Sequence, residues 1–178
     1  MKTRGDMLEG LLTSFGGYYT VRRNGAAAPF AAEAEFHSHT EQYLLIKAAH
    51  IADIDSNEFV FFADEEELTP DRLKTLDERA WTEGLSRVRA GDGHRNSDIS
   101  LIILCDRADR AVLKAARRLY RYKSYQWGFK GWSGYRIAVW EAEGGTVTCN
   151  RLGKNLKAPI QAAAQAAPAI LGKTGTQS

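Results

Sequence analysis

The segment Ile99–Cys105, with the sequence ISLIILC, decides the fold because every residue in it except Ser100 is apolar. A strand with one face in water alternates apolar and polar residues, whereas a strand that is apolar on both faces is covered from both sides. Helices give such cover when they connect neighbouring strands of one sheet. The sequence therefore predicts a central strand at this position, with helices packed nearby.

A helix is predicted on each side of this strand along the chain. The segment Thr69–Asp71 is typical of a helix start, because threonine can cap the helix, proline fits its first position and aspartate suits the positive end of its dipole. This helix is predicted to run to about Val88. A second long helix is predicted from about Ala108 to Lys123, after a turn that Asp106 opens.

Short β-prone segments separated by turn residues precede the first long helix. The dipeptide Asn24-Gly25 is a strong hairpin turn, and Asp55–Asn57 has turn chemistry as well. These turns predict an antiparallel meander behind a short N-terminal helix that begins near Asp6. The predicted strands are Tyr18–Arg23, a segment near Phe36, Tyr43–Ile51, Glu58–Ala63 and, after the second long helix, Tyr135–Glu141 and Thr146–Asn150.

Together these elements predict an α+β fold, a single domain in which a mixed, mostly antiparallel sheet carries two principal helices. The chain has 178 residues, of which 44% are hydrophobic and 26% charged, as is usual for one soluble domain. We expect residues 1–166 to form this domain. Residues 167–178 are expected to form a flexible tail, because they bury too little apolar area to offset the entropy of ordering.

Cysteine content and apolar runs predict the compartment. Two cysteines are too few for a disulfide scaffold and suit a reducing environment. The N-terminal apolar stretch is short and interrupted by Glu9, unlike a signal peptide, and no apolar run approaches the length of a membrane span. The protein is therefore predicted to be cytoplasmic, with no membrane contact.

The segment Arg110–Arg136 contains eight Lys/Arg and seven aromatic residues without one Asp or Glu. On the predicted helix the cations form a stripe opposite an apolar one, and like charges four residues apart cost a few tenths of a kcal/mol per pair. Cations beside aromatic rings suit phosphate groups and bases, so the leading hypothesis is a binding module for nucleic acid, another polyanion or a phosphate-bearing ligand. The predicted ligand-binding residues are Arg110, Lys114, Arg117, Arg118, Arg121, Lys123 and Lys130.

Two plainer interpretations of the same stripe stay open. The acidic segment Asp53–Glu67, with seven acids and no base, can lie alongside and neutralise it, or the stripe can simply be solvated. The aromatic residues that follow are more often core than ligand platform, so Trp127, Phe129 and Trp132 are expected to be buried. A third hypothesis is an assembly domain, a homo-oligomer whose interface contains Trp127, Trp132 and Trp140.

The segment Glu33–Glu41 predicts a rival function, a small metal-assisted enzyme. Every odd position is acidic or histidine, so on a strand these side chains share one face. Imidazoles and carboxylates on one face can bind a divalent ion such as Zn²⁺, although an exposed sheet face is commonly polar at alternate positions. The predicted ligands are Glu35, His37, His39 and Glu41; no other cofactor is expected.

Other catalytic patterns are missing or weak. Asp64 and Asp106 each follow a predicted strand, and if these strands are parallel neighbours their ends form a crevice; Asp is also a common helix-entry residue. A nuclease of the restriction-enzyme type wants an acid two residues before a Lys, and no such pair occurs in the sequence. The P-loop, the dinucleotide-binding glycine pattern and the serine nucleophile elbow are absent as well.

Three segments carry a resemblance to a group of proteins. They are Phe36–Tyr43 (FHSHTEQY), Asn57–Phe62 (NEFVFF) and Phe129–Arg136 (FKGWSGYR). Together they resemble uncharacterised single-domain bacterial proteins over about residues 30 to 157. The resemblance implies one intact domain and brings no activity and no site residues with it.

Overall fold

The computed structural model describes residues 2–37, 56–90, 94 and 96–166. Its helices are α1 (Arg4–Phe15), α2 (Pro70–Arg87), α3 (Arg110–Arg118) and α4 (Lys157–Gln165). Its strands are β1 (Thr20–Arg22), β2 (Ala32–His37), β3 (Ser56–Leu68), β4 (Asn96–Ala108), β5 (Tyr122–Ser124), β6 (Trp132–Glu141) and β7 (Thr146–Cys149). Short 3₁₀ helices span Gln126–Gly128 and Leu152–Leu156.

Strand β4 is the centre of the sheet, which confirms the prediction made from the apolar run. The strands are arranged in the order β1-β2-β3-β4-β6-β5, and β7 lies beside β6. Every residue of β4 from Ser97 to Cys105 is buried. The strand is longer than its apolar core suggests, since it has 13 residues and continues through Asp106 to Ala108.

The sheet is mixed, as predicted, but its centre is parallel. Strand β4 pairs in parallel with both β3 and β6, while the antiparallel pairs β1/β2, β2/β3, β5/β6 and β6/β7 lie outside this centre. The expectation of a mostly antiparallel sheet is therefore wrong for the core of the molecule. The physical reason is that α2 and α3 are long enough to serve as the crossover connections that parallel strands need.

Helices cover both faces of the sheet and create two cores. Successive strand residues point to opposite faces, so alternate residues of β3, β4 and β6 belong to different cores. Against α1 and α4 lie Val60, Phe62, Ile102, Leu104, Ala138 and Trp140. Against α2 and α3 lie Phe59, Phe61, Ile99, Leu101, Tyr135 and Ile137.

Helix α2 confirms its predicted start and end. The Thr69 side chain accepts a hydrogen bond from the backbone N–H of Arg72 at 3.2 Å, and the helix ends at Arg87. Helix α3 is shorter than predicted. It ends at Arg118 rather than Lys123, because β5 begins at Tyr122 and pairs with β6.

Asn150 follows β7 directly and bonds to backbone groups of three different segments. Its side-chain Oδ1 accepts from the backbone N–H groups of Ile137 (3.2 Å) and Gly153 (2.8 Å). Its Nδ2 donates to the carbonyls of Leu119 and Tyr135, both at 3.0 Å. One buried side chain thus links the end of α3, strand β6 and the segment after β7. These links lie at the base of the β5 hairpin, which consists of β5, the loop Tyr125–Gly131 and the start of β6.

Several predicted features lie outside the described residues. They are the strand Tyr43–Ile51, the tail at residues 167–178, and the proposed metal ligands His39 and Glu41. None of the described helices is long and apolar enough to cross a membrane.

Candidate functional site

The surface of α3 carries a group of exposed cationic side chains. Val112 and Ala116 are buried against the sheet, which orients the remaining positions of the helix outward. Four cationic side chains are exposed there, at spacings that place them along one side of the helix. They are Arg110, Lys114, Arg117 and Arg118. We call these four residues the α3 stripe.

The described acidic residues of Asp53–Glu67 do not neutralise the α3 stripe. Glu65 pairs with Arg72 at 2.7 Å and Glu67 with Arg107 at 2.9 Å, while Asp64 pairs with Arg4. Glu58 binds Arg136 on the opposite face of the sheet. Within residues 2–37, 56–90, 94 and 96–166 no carboxylate forms an ion pair with the α3 stripe; Asp53 and Asp55 lie outside those ranges.

Helix electrostatics accounts for part of the α3 stripe. Arg117 and Arg118 lie in the last turn, where the negative end of the helix dipole favours cations by about 0.3–1 kcal/mol each. Arg110 lies in the first turn, where the same dipole disfavours a cation. Helix stability therefore explains the basic residues at the end of α3 and not those at its start.

Arg121 faces inward, unlike the α3 stripe. Its Nε and Nη2 donate to the two carboxylate oxygens of Asp77 at 2.9 and 2.6 Å. The Asp77 side chain is 5% exposed, and the hydrogen bonds to it raise the pKa of Arg121. Arg121 is one of the seven predicted ligand-binding residues, and here it joins the segment between α3 and β5 to α2.

The loop Tyr125–Gly131 exposes its aromatic rings, so the prediction that they are buried is wrong. Trp127 is 98% exposed and Phe129 is 90% exposed, while Trp132 at the start of β6 is 38% exposed. The loop connects two strands at the edge of the sheet, where β5 contributes only three residues. Neither helix layer covers the rings of Trp127 and Phe129, and therefore they do not pack into either core.

The backbone of this loop has a defined shape. The N–H of Tyr125 donates to the carbonyl of Gly131 at 2.9 Å, and the N–H of Phe129 donates to that of Gln126 at 3.0 Å. Gln126 and Trp127 have φ values of 45° and 56°, a region of backbone conformation that residues other than glycine rarely adopt. Such positions persist only where the surrounding structure enforces them.

Two further contacts hold the loop against the sheet. His94 Nδ1 donates to the carbonyl of Lys130 at 2.8 Å, and the Tyr125 hydroxyl bonds to Ser133 Oγ at 2.8 Å. The Lys123 ammonium lies 5.4 Å from the centre of the Tyr125 ring. Lys123 and Lys130, the last two predicted ligand-binding residues, therefore lie at the base of the loop rather than on a helix.

A second aromatic pair flanks the loop on the α1/α4 side of the sheet. The rings of Tyr122 and Trp132 stack with their centres 6.0 Å apart and their planes at 25°. Trp132 lies close to Gly134, where an added Cβ would come within 3.0 Å of its ring. The glycine thus allows the indole to lie flat on the strand beside it.

A buried polar cluster lies on the same face of the sheet. The Glu58 carboxylate accepts hydrogen bonds from Tyr19 (2.7 Å), Ser100 (2.9 Å) and Arg136 (3.2 Å). Arg136 also pairs with Asp98. Burial raises the pKa of Asp98 to about 6, with Arg136 opposing the shift and Glu58 adding to it. Sequence reasoning missed this cluster, although polar residues at alternate positions of otherwise apolar strands were a signal for it.

The predicted metal site is not assembled in the part of the chain that can be described. Glu35 pairs with Arg22 and with Arg87 (2.6 Å), so guanidinium groups occupy its carboxylate. The Nε2 atom of His37 lies 3.7 Å from a carboxylate oxygen of Glu35, and its Nδ1 atom bonds to the side-chain oxygen of Asn57 at 3.1 Å. No cluster of three or more metal-ligating residues occurs among the described residues, and the metal hypothesis stays a prediction.

Asp64 and Asp106 lie on parallel neighbouring strands, as their proposed crevice requires. Both strands continue past them, and Arg4 binds both carboxylates, with Nε 2.9 Å from Asp106. The guanidinium group of Arg4 is therefore the cation that lies between the two carboxylates. The two aspartates anchor the start of α1 to the sheet.

The comparison with protein families places the chain in a group. Residues 3–162 match the model of a family described as a domain of unknown function (DUF8052). The chain belongs to this family. The match confirms the resemblance to an uncharacterised single-domain family and extends beyond the segments that suggested it; a bacterial source stays a prediction. No curated protein and no solved structure matched the chain.

Proposed function

We propose that this domain binds a polyanion, namely nucleic acid, through the α3 stripe and the loop that follows it. The observation that supports the proposal is the exposure of four cations on one short helix, with no carboxylate paired to them in the described ranges. Such a surface attracts phosphate groups and gains free energy by releasing the counterions that surround them. The predicted site residues Lys123 and Lys130 extend it, whereas Arg121 supports it from inside.

The end of the α3 stripe and the start of β5 are close enough to contact one ligand. Tyr122, the first residue of β5, follows Arg118 by four positions. Even fully extended, four residues span at most about 14 Å. A phosphate bound by Arg117 or Arg118 and a group resting on the β5 hairpin can therefore belong to a single molecule.

Removing two cations of the stripe tests the proposal. We expect the double variant Arg117→Ala/Arg118→Ala to bind a fluorescein-labelled dT oligomer at least about tenfold more weakly than the wild type, from roughly 1 kcal/mol per lost charged contact. Fluorescence anisotropy at low salt measures the affinity. Circular dichroism checks that α3 is retained in the variant.

A matched control removes the same charge elsewhere. Lys154 and Lys157 are exposed, and their segment packs on the opposite side of the sheet through Leu156. Lys154→Ala/Lys157→Ala is expected to bind the oligomer within about twofold of the wild type. Equal losses in both double variants, or no binding by the wild type at about 50 mM salt, contradict the proposal.

The exposed rings also favour a second candidate, assembly through an aromatic interface. Trp127 and Phe129 suit such a contact, but Trp140, the third tryptophan predicted to take part, is 3% exposed and lies in the core. Light scattering over a range of concentrations tests this candidate. A dimer that Trp127→Ala dissociates supports assembly, and a monomer at high concentration contradicts it.

A further inference from the structure

We infer that the polyanion is a single-stranded nucleic acid whose bases stack on Trp127 and Phe129. This inference rests on the proposed function and narrows its ligand. The α3 stripe supplies contacts to phosphates, which any polyanion offers. The loop supplies flat rings, on which the exposed bases of a single strand can stack.

The exposure of the two rings carries the argument. Trp127 is 98% exposed and Phe129 is 90% exposed, so neither contributes appreciably to either core. Burial of such side chains is among the largest sources of stability open to a small domain. A solvent-exposed tryptophan beside a solvent-exposed phenylalanine is more typical of a contact surface than of a surface left in water.

The geometry of the loop supports a prearranged binding platform. Positive φ values at Gln126 and Trp127 disfavour the loop conformation, and the hydrogen bonds of Tyr125 with Gly131 and Ser133 enforce it. A loop held in this way loses little conformational entropy when a ligand arrives. The loop backbone therefore holds the attachment points of the two rings in place before binding.

The charge around the rings selects the kind of partner. No acidic residue occurs in Arg110–Arg136, and the loop follows the α3 stripe by only a few residues. Stacking on aromatic side chains beside a positively charged surface is the usual mode for single strands. A duplex keeps its bases stacked on one another and offers mainly phosphates and groove edges, so it cannot use the two rings.

The experiment compares three ligands with the full chain: a dT oligomer, the same oligomer in duplex form, and heparin, which is polyanionic without bases. The wild type is expected to bind the single strand more tightly than the duplex, and the single strand alone is expected to quench the fluorescence of Trp127. Trp127→Ala and Phe129→Ala are each expected to weaken single-strand binding by about 5- to 100-fold, the effect of losing one stacked base. Heparin affinity is expected to stay within about twofold in both variants.

Two further variants give the controls. Trp127→Phe keeps a ring and is expected to retain most of the affinity while losing the quenching. Tyr18→Ala removes another exposed ring, 63% exposed and distant in sequence from the loop, and is expected to leave binding unchanged. Together they separate stacking at this position from a general loss of aromatic surface.

The outcomes distinguish this inference from the proposed function. Binding of all three ligands that depends on Arg117 and Arg118 but not on Trp127 or Phe129 overturns the inference and leaves the proposed function standing. If the wild type binds none of the three ligands, both the inference and the proposed function are wrong. Binding of anionic lipid vesicles through Trp127, without binding of the oligomer, assigns the rings to a membrane surface and also overturns the inference.

Discussion

Asp77 shows how one buried carboxylate changes the course of the chain. The pattern of apolar and basic residues continues as a helix through Arg121 to Lys123, yet the helix ends at Arg118. A buried carboxylate needs a partner, and the bidentate bond from Arg121 satisfies Asp77. Local helix preference is worth only tenths of a kcal/mol per residue, so this contact and the pairing of β5 prevail.

Arg121→Ala is expected to lower the free energy of unfolding by about 2–4 kcal/mol, because it leaves the buried carboxylate of Asp77 without its cationic partner. Urea denaturation measures the loss. The matched variant Arg117→Ala removes an exposed arginine and is expected to change stability by less than about 1 kcal/mol. Similar losses in both variants would contradict the assignment of Arg121 to structure and Arg117 to the binding surface.

Asp98 is expected to make stability depend on pH. Its pKa of about 6 in the folded protein lies above the ordinary value of 3.8, so the folded state holds this proton more tightly than the unfolded state. The stability gained from that proton is fully present below about pH 4 and is lost as the pH rises through 6. The expected loss is about 3 kcal/mol, because the Asp98 side chain is only 11% exposed.

Asp98→Asn removes this titration while keeping a similar shape. Relative to the variant, the wild type is expected to lose stability between pH 4 and pH 7, as measured by urea denaturation at each pH. The charges that face Asp98, on Arg136 and Glu58, are present in both proteins. A stability difference that is the same at both pH values would show that Asp98 does not titrate in this range.

At the scale of elements, the β5 hairpin is the feature that sequence reasoning misjudged. Composition alone cannot distinguish a tryptophan that fills a core from one that projects from an edge loop, since both occur among glycines and β-prone residues. The decision depends on whether a helix layer covers the loop, which is a property of the tertiary fold. Trp140 is the second-to-last residue of β6, and the α1/α4 layer together with the neighbouring strands provides that cover.

Trp127→Ala is expected to leave the free energy of unfolding within about 0.5 kcal/mol of the wild type, because an exposed ring has little packing to lose. Trp140→Ala, which empties a core position, is expected to cost about 3–5 kcal/mol. Urea denaturation of the two variants measures both values. A large loss for Trp127→Ala would mean that the ring is packed in solution.

Asn150 is the residue on which the position of the hairpin depends. Asn150→Ala leaves the backbone groups of Ile137, Gly153, Leu119 and Tyr135 without their side-chain partner. We expect a loss of about 3 kcal/mol or more, since unsatisfied buried polar groups cost about 1–3 kcal/mol each. Asn155→Ala at an exposed position is the control, and an equally small effect at Asn150 would contradict its role.

For the molecule as a whole, local patterns predicted the elements better than their arrangement. The apolar run at Ile99–Cys105 and the cap at Thr69 fixed a central strand and a helix, because burial on two faces and capping chemistry are local properties. The parallel pairing of β3, β4 and β6 and the cluster of Glu58, Asp98 and Arg136 depend on register across the sheet. Register brings distant segments together, and the polar positions within one strand do not show which residues of the other strands they will meet.

The charges of the whole molecule are unevenly distributed. Arginines 4, 72, 107 and 136 bind Asp64, Glu65, Glu67 and Glu58, and no carboxylate pairs with the α3 stripe within the described ranges. A net formal charge of only +2 therefore coexists with a local basic surface. Binding at such a surface is expected to be governed by phosphate contacts and to weaken steeply with salt.

The salt dependence of single-strand binding tests this claim most directly. Each phosphate contact contributes about 0.7 to the slope of log K against log salt concentration, so Arg117→Ala/Arg118→Ala is expected to reduce the magnitude of the wild-type slope by about 1.4. Lys154→Ala/Lys157→Ala is expected to leave the slope unchanged. Equal slopes for the wild type and the Arg117/Arg118 variant would contradict the account.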